Sequence, residues 1–141
     1  MENREIRING TLAGVDDETK IGFLGNDEKC TLSFDKRVTV SAQKPEMSLP
    51  MVVMKWGGEC RAEFEAKCTY GDQGAVIVAG IIRLYEGTSE TTHNLVGAKP
   101  FNHRVPRGTN MGGTVKVQSK APGADDRVTA VYTISNNIVE K

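Results

Sequence analysis

Acidic residues close to glycine are the most frequent chemically active pattern in this sequence. They recur in four short segments, 14–17, 25–28, 71–72 and 123–126. Calcium takes about six to eight oxygen ligands, and loops gathered at one end of a β-structure can supply them without an EF-hand loop. A turn does not need two adjacent like charges, so the acidic doublets are the best candidate ligands. We therefore predict a calcium site at Asp16, Asp17, Asp125 and Asp126.

The same segments also have a simpler interpretation as turns. Asp and Asn side chains bond their own backbone and tolerate left-handed conformations, which is why they accompany glycine in turns. Lys20 and Arg127 are close in sequence and could neutralise the doublets instead of a metal. A shared site also requires both doublets to lie at the same end of the fold, and periodicity does not determine this.

A second group of polar residues lies between Glu86 and Gly113, in the longest region without regular periodicity. We expect a long irregular segment here, with one or two short strands near Leu95 and at 103–105. Long loops on a rigid β-scaffold often carry recognition, whereas packing over the end of a sheet is the alternative. The candidate ligand-binding residues are Thr91, His93, Asn94, Phe101, His103, Arg104 and Arg107.

Motifs that would indicate catalysis are missing from the sequence. It contains no Gly-x-Ser-x-Gly, no His-Glu-x-x-His, no P-loop and no strand-linked Gly-x-Gly-x-x-Gly. A Cys-His pair remains conceivable, but Cys60 and Cys68 are expected to point into the core, where burial suits inert packing. We therefore predict that the protein is not an enzyme.

Period-two alternation shows which elements position these residues. In residues 59–70, apolar and charged side chains alternate without a break, as in a half-buried strand. Residues 75–85 form an almost continuous apolar run rich in β-branched residues, typical of a central strand. The intervening segment 71–74 contains two glycines, so we predict an antiparallel hairpin. Phe64, Cys68, Val78, Ile82, Trp56 and Tyr132 are the expected core residues.

The rest of the chain extends this pattern. No confident helix and no strand-helix alternation is found. The sequence therefore predicts a single domain, residues 1–141, folded as an antiparallel β-sandwich of immunoglobulin or jelly-roll type with eight to ten short strands. The further strands are expected at 5–9, 11–13 (after a turn or bulge at Asn9-Gly10), 19–24, 29–34, 38–42, after Pro50, 114–119 and 127–136.

Charge and cysteine content limit the partners. The 18 basic and 18 acidic residues leave a formal net charge of zero, so nucleic acid is not expected as a main partner. No signal peptide or apolar span is visible, so we expect no membrane partner and favour the cytoplasm, with secretion by other routes left open. Three cysteines without Cys-x-x-Cys spacing do not indicate a disulfide framework.

Two functions remain after these exclusions. The first is a non-catalytic binding module that recognises a protein or glycan ligand through its loops. The alternative is a structural subunit that self-assembles into a particle or filament, a homo-oligomer that uses strand edges and outer sheet faces. Zero net charge suits the alternative, because it removes long-range repulsion between copies. A small hydrolase with a Cys-His site ranks third.

Overall fold

The computed structural model describes residues 2–16, 28–120 and 126–139. In these ranges the only helical element is one 3-10 turn, Asp72–Gly74, and no helix is long and apolar enough to cross a membrane. The described strands are β1 Arg4–Asp16, β2 Glu28–Val40, β3 Glu46–Ser48, β4 Val52–Trp56, β5 Cys60–Tyr70, β6 Val76–Glu86, β7 Leu95–Val105, β8 Asn110–Gln118 and β9 Arg127–Ile138.

The strands form two antiparallel sheets that pack face to face, which confirms the predicted β-sandwich. One sheet has four strands in the order β2-β1-β9-β8. The other has five, with β3-β5-β6-β7 in order and β4 paired to β5. The first and last strands of the chain, β1 and β9, are paired along their length from Arg4↔Ile138 to Val15↔Arg127. The two ends of this pair therefore define the two ends of the sandwich.

The predicted hairpin is confirmed as β5 and β6. Its register runs from Cys60↔Glu86 to Tyr70↔Val76, so the charged and apolar faces of the two strands coincide. Gln73 and Gly74 take positive φ in the turn. Glycine adopts this conformation without strain at Gly74, whereas Gln73 takes it with a side chain and Gly71 is extended.

The core lies between the sheets and includes all six residues predicted from the sequence. Its centre is aromatic: Phe64 contributes from β5 and Tyr132 from β9, with ring centroids 5.8 Å apart. Phe34 and Phe101 pack against Phe64 at 5.1 and 5.2 Å. These rings join both sheets, and such pairs add to the free energy of apolar burial.

The predicted break at Asn9-Gly10 is wrong, because β1 continues through it. Gly10 pairs with Tyr132 of β9 and Phe34 of β2. A Cβ on Gly10 would overlap the backbone oxygen of Val131 and the Tyr132 side chain. The glycine therefore permits close packing of β9 rather than a turn.

The separation of 29–34 from 38–42 is also wrong, since β2 is one strand. The charged residues between them lie within it, where Arg7 donates two hydrogen bonds to the Asp35 carboxylate, at 2.8 and 2.7 Å. These charged residues therefore lie on the solvent face of a strand and do not indicate a loop. The predicted strand 19–24 and most of the turn 25–28 lie outside the described residues.

The expected irregular segment between Glu86 and Gly113 is mostly regular. Residues 87–94 form a connection, and then β7 pairs with β6 while β8 pairs with β9. Glycine and proline residues interrupt the alternation of side chains in β7 and β8, so the sequence pattern did not indicate these strands. At Gly97, for example, a Cβ would crowd Gln118 and Val117, so glycine again allows close packing of neighbouring backbone.

A buried hydrogen-bond network occupies the end of the sandwich where β1 begins, and we call it the basic end. Arg4 donates from Nε to Asn136 Oδ1 at 2.8 Å and from Nη2 to the Asn136 backbone oxygen at 3.1 Å. Asn136 Nδ2 donates to the backbone oxygens of Gly74 and Val105, at 2.9 and 3.0 Å. Glu2 forms ion pairs with Arg4 and Arg107.

Candidate functional site

The opposite end of the sandwich holds a cluster of buried acidic and thiol groups. Asp16, Cys60 and Asp126 each place a potential ligand atom within 4.8 Å of the others. The two aspartates are only 2% and 1% exposed, and Cys60 is fully buried. Carboxylates are rarely this buried, because removing their charge from water is costly. We call this group, with the neighbouring Trp56 and Glu86, the acidic end.

Strand pairing explains why these residues meet. Asp16 is the last residue of β1 and Asp126 directly precedes β9, two strands that are paired through Val15↔Arg127. In the facing sheet, Cys60 begins β5 and is the register partner of Trp56 in β4 and Glu86 in β6. Register partners share a sheet face, so all three project between the sheets.

The environment of Cys60 is strongly unfavourable to a free thiolate. Burial raises its pKa, and the charges of Asp126, Asp16 and Glu86 raise it further. In the absence of a bound cation Cys60 is therefore a protonated, unreactive thiol. A divalent cation would reverse this situation, because its charge favours the deprotonated sulfur.

Two other polar atoms at the acidic end are buried without a hydrogen-bond partner among the residues that the structure describes. They are Nε1 of Trp56, a residue only 4% exposed, and Oε2 of Glu86. Buried polar groups are normally paired, since an unpaired one costs about 1–3 kcal/mol. The acidic end thus differs from an ordinary packed core.

Of the four predicted metal ligands, the structure brings together Asp16 and Asp126. Asp17 and Asp125 lie outside the described residues. Sequence reasoning missed Cys60 and Glu86 as members of the cluster. The observed register places Glu86 opposite Cys60, but the predicted second strand ended at Tyr85, and alternation alone presented Cys60 as core filling.

The structure separates the residues predicted to bind a ligand. Thr91, His93 and Asn94 are exposed in the connection 87–94 at the acidic end. Phe101 is buried in the aromatic core, and half-buried His103 shares a hydrogen bond of 2.7 Å between Nε2 and the Tyr132 hydroxyl.

The two predicted arginines lie towards the other end of the sandwich. Arg104 is exposed near the end of β7, and Arg107 follows that strand and pairs with Glu2 at the basic end. Because β7 has 11 residues, it separates the connection 87–94 from Arg107 by about 33 Å. The predicted residues therefore do not form one continuous surface.

A more continuous surface is the outer face of the four-stranded sheet. Register aligns Ser33, Thr11, Val131 and Thr114 in one row across β2, β1, β9 and β8. Adjacent rows contribute more β-hydroxyl side chains. We call this surface the threonine face, and its members are Thr11, Thr31, Ser33, Thr114, Thr129, Val131 and Thr133.

The outer face of the five-stranded sheet differs in chemistry. Arg83 pairs with Glu63 and Glu65, and Lys67 pairs with Glu46. Charged side chains with strong hydration discourage close packing, and natural sheets use them to prevent association. The central rows of the threonine face carry few such charges, and Val131 there is 49% exposed.

Comparisons with known proteins give a weak structural likeness. No protein-family model and no curated protein matches the chain. A solved structure of the Salmonella SPI-1 type III secretion injectisome secretin InvG (residues 176 to the end, open gate state) matches with a TM-score of 0.42 and 10% identity. The match covers 99% of this chain and 61% of that chain. A TM-score this low carries no conclusion about function.

Proposed function

We propose that this chain is a non-catalytic interaction module that associates with a second copy of itself through the threonine face. The observation that supports the proposal is the difference between the two outer faces. The five-stranded sheet carries ion pairs across its central strands β5 and β6. The ion pairs of the four-stranded sheet lie on β1 and β2 beside the threonine face, whose central row consists of short hydroxyl side chains around exposed Val131. The proposal favours the self-assembly alternative over recognition by loops.

Short side chains make the threonine face suitable for packing. Ser and Thr lose less rotamer entropy on burial than Lys, Arg or Glu, so an interface made from them costs less to order. Their hydroxyls can both donate and accept hydrogen bonds across a contact. Sheets that pack face to face lie about 10 Å apart, which side chains of this size can fill.

The overall charge supports a second copy as the partner. A formal net charge of zero gives two copies no long-range repulsion to overcome. A closed pair that uses the same face from each copy would have two-fold symmetry, the commonest arrangement of soluble oligomers.

Solution size tests this proposal. We expect light scattering on a sizing column to show a mass above that of the monomer, rising with concentration, and to show the monomer for Val131→Asp. Val53→Asp is the matched control, because Val53 is 37% exposed on β4 in the other sheet. It should behave like the parent protein, with far-ultraviolet circular dichroism confirming that both variants fold.

Two results would overturn the proposal. One is a parent protein that remains monomeric at every concentration. The other is a mass distribution that Val131→Asp leaves unchanged or that both variants alter equally, since either would place the contact elsewhere.

Recognition of a protein or glycan by the connection 87–94 is the second candidate. It is supported by the firm attachment of this segment: Glu90 accepts hydrogen bonds from the Gly58 backbone N–H at 3.3 Å and from Arg61 at 2.8 Å. Thr91, His93 and Asn94 are exposed on it. This function predicts binding to a glycan array that replacement of these three residues by alanine abolishes, without any change in oligomeric mass. An array with no bound glycan would leave the glycan ligand without support.

A further inference from the structure

We propose that Asp16, Cys60 and Asp126 bind one divalent transition-metal ion of the zinc type, with Cys60 as a thiolate ligand and one oxygen from each aspartate. The proposal concerns the acidic end and is independent of the threonine face. It also differs from a calcium site in the loops, because its ligands are buried between the sheets.

The first argument is the concentration of negative charge. Asp16 and Asp126 are buried within 4.8 Å of each other and of Cys60. The repulsion between two carboxylates grows as the effective dielectric constant falls, so a buried pair is far less favourable than an exposed pair. A bound cation would compensate both charges at once.

The second argument is independent of the aspartates. Trp56 Nε1 is a buried donor without a partner, and it belongs to the indole edge that faces Gly14: a Cβ there would lie 2.7 Å from Cε2. Gly14 and Asp16 share one face of β1, and Cys60 is the register partner of Trp56. The indole edge that carries this donor therefore lies beside the cluster, on the face of β1 that holds Asp16. An acceptor such as a metal-bound water would satisfy it.

Glu86 gives the site a further oxygen. It is the register partner of Cys60, and its Oε2 is buried without a hydrogen-bond partner. Zinc is usually four-coordinate, so three ligands from the cluster leave one position for this carboxylate or for water.

Ligand chemistry selects the class of metal. Calcium takes about six to eight oxygen ligands and does not use sulfur, so Cys60 does not suit it. Zinc accepts thiolate and carboxylate together, at about 2.3 and 2.0–2.2 Å. Atoms within 4.8 Å of one another need only a modest contraction to reach the roughly 3.5 Å ligand separation of such a tetrahedral site.

The binding step is an exchange of a proton for a metal ion. The S–H bond of Cys60 breaks, the sulfur–metal bond forms from the electron pair left on sulfur, and the proton leaves to the buffer. No oxidant or reductant is required. Affinity should therefore increase with pH, since fewer protons compete for the ligands.

Cobalt(II) titration of the full chain, after treatment with a chelator, tests the proposal. We expect one cobalt ion per chain and a near-ultraviolet sulfur-to-metal charge-transfer band, reversed by zinc. Cys60→Ser should abolish the band. Cys68→Ser is the matched control and should retain it, because Cys68 is an equally buried cysteine on the same strand.

Thermal unfolding provides the second readout, for the case in which Cys60→Ser folds poorly. Zinc at about 100 times its dissociation constant should raise the melting temperature of the parent protein by several degrees. Asp16→Asn combined with Asp126→Asn should remove this shift. A parent protein that zinc does not stabilise, a charge-transfer band that persists in Cys60→Ser, or stabilisation by calcium alone would each overturn the proposal.

Discussion

The two ends of the sandwich are built on the same pair of strands, but their buried polar groups have different surroundings. At the basic end, Arg4 and Asn136 are buried, and hydrogen bonds connect them to each other and to the backbone oxygens of Gly74 and Val105. One asparagine there links the first strand, the β5–β6 turn and the end of β7. This network is complete within the chain and needs nothing else.

At the acidic end, the buried groups carry charges of one sign. Asp16, Asp126 and Glu86 surround the Cys60 thiol, and Trp56 Nε1 has no acceptor within the described ranges. Since β1 and β9 form both ends, the difference arises from side chains and not from the fold. The basic end thus joins strands through a hydrogen-bond network, whereas the acidic end is the place where we propose metal binding.

Asn136→Ala should have the largest effect, because it breaks the complete network. It removes the Asn136 side chain from the buried Arg4 guanidinium, which keeps Glu2, and leaves two buried carbonyls without that donor. Each unpaired buried group costs about 1–3 kcal/mol, so we expect a loss of about 3–5 kcal/mol of unfolding free energy. Urea unfolding measures this loss. The neighbouring exposed Asn137→Ala is the control and should change stability by less than about 0.5 kcal/mol. Equal effects would show that the network does not stabilise the fold.

Alkaline pH should distinguish the two buried thiols. Burial raises the pKa of Cys68 to about 12 from its ordinary value of 9.0. The folded protein keeps this proton while the unfolded chain loses it, so the stabilising contribution is complete below pH 9 and declines between pH 9 and 12. The decline is up to about 1.4 kcal/mol per pH unit for each thiol, and Cys60 should add a similar slope.

Zinc should remove the Cys60 part of this slope, because metal binding has already displaced that proton. Cys68→Ala should remove the other part, with or without zinc. Urea unfolding at several pH values measures both contributions. An alkaline slope that neither zinc nor Cys68→Ala reduces would contradict the assignment.

Asp16→Asn combined with Asp126→Asn should have a smaller effect and the opposite sign from Asn136→Ala. In the presence of a chelator, the removal of two like charges from a buried site should stabilise the protein by about 1 kcal/mol. Chemical unfolding in chelator, compared with the parent protein, measures the change. A loss of several kcal/mol would mean that the charges of these carboxylates stabilise the folded protein.

Trp56→Phe should have the smallest effect. It keeps an aromatic ring in the core and removes the buried N–H that lacks an acceptor, so a small gain offsets the loss of apolar area. We expect a net change within about 1 kcal/mol in chelator, again from urea unfolding. A larger loss would show that this donor is already satisfied in the folded protein.

The sequence alone determined the class of fold and the orientation of several strands. Side chains alternate with period two on any strand, so the pattern in residues 59–70 predicted both β5 and its buried face. The predicted hairpin and all six predicted core residues agree with the structure for the same reason. These properties depend on neighbours along the chain, which the sequence contains.

Breaks between strands were predicted less well, because glycine and charged residues occur inside strands as well as in turns. Gly10 marks a close approach of two backbones, and Asp35 pairs with Arg7 on the solvent face of a continuous strand. Glycine and proline in 87–113 likewise concealed β7 and β8. Each of these residues is explained by a contact with a distant strand, which local pattern cannot reveal.

Only the tertiary structure decided which chemical groups share a site. Asp16 and Asp126 are 110 positions apart in the sequence, and they meet because β1 pairs with β9. Cys60 and Glu86 join them because the second sheet packs across that pair. The sequence supplied the ligands, but strand order determines which ends of strands coincide, and strand order depends on the packing of the whole chain.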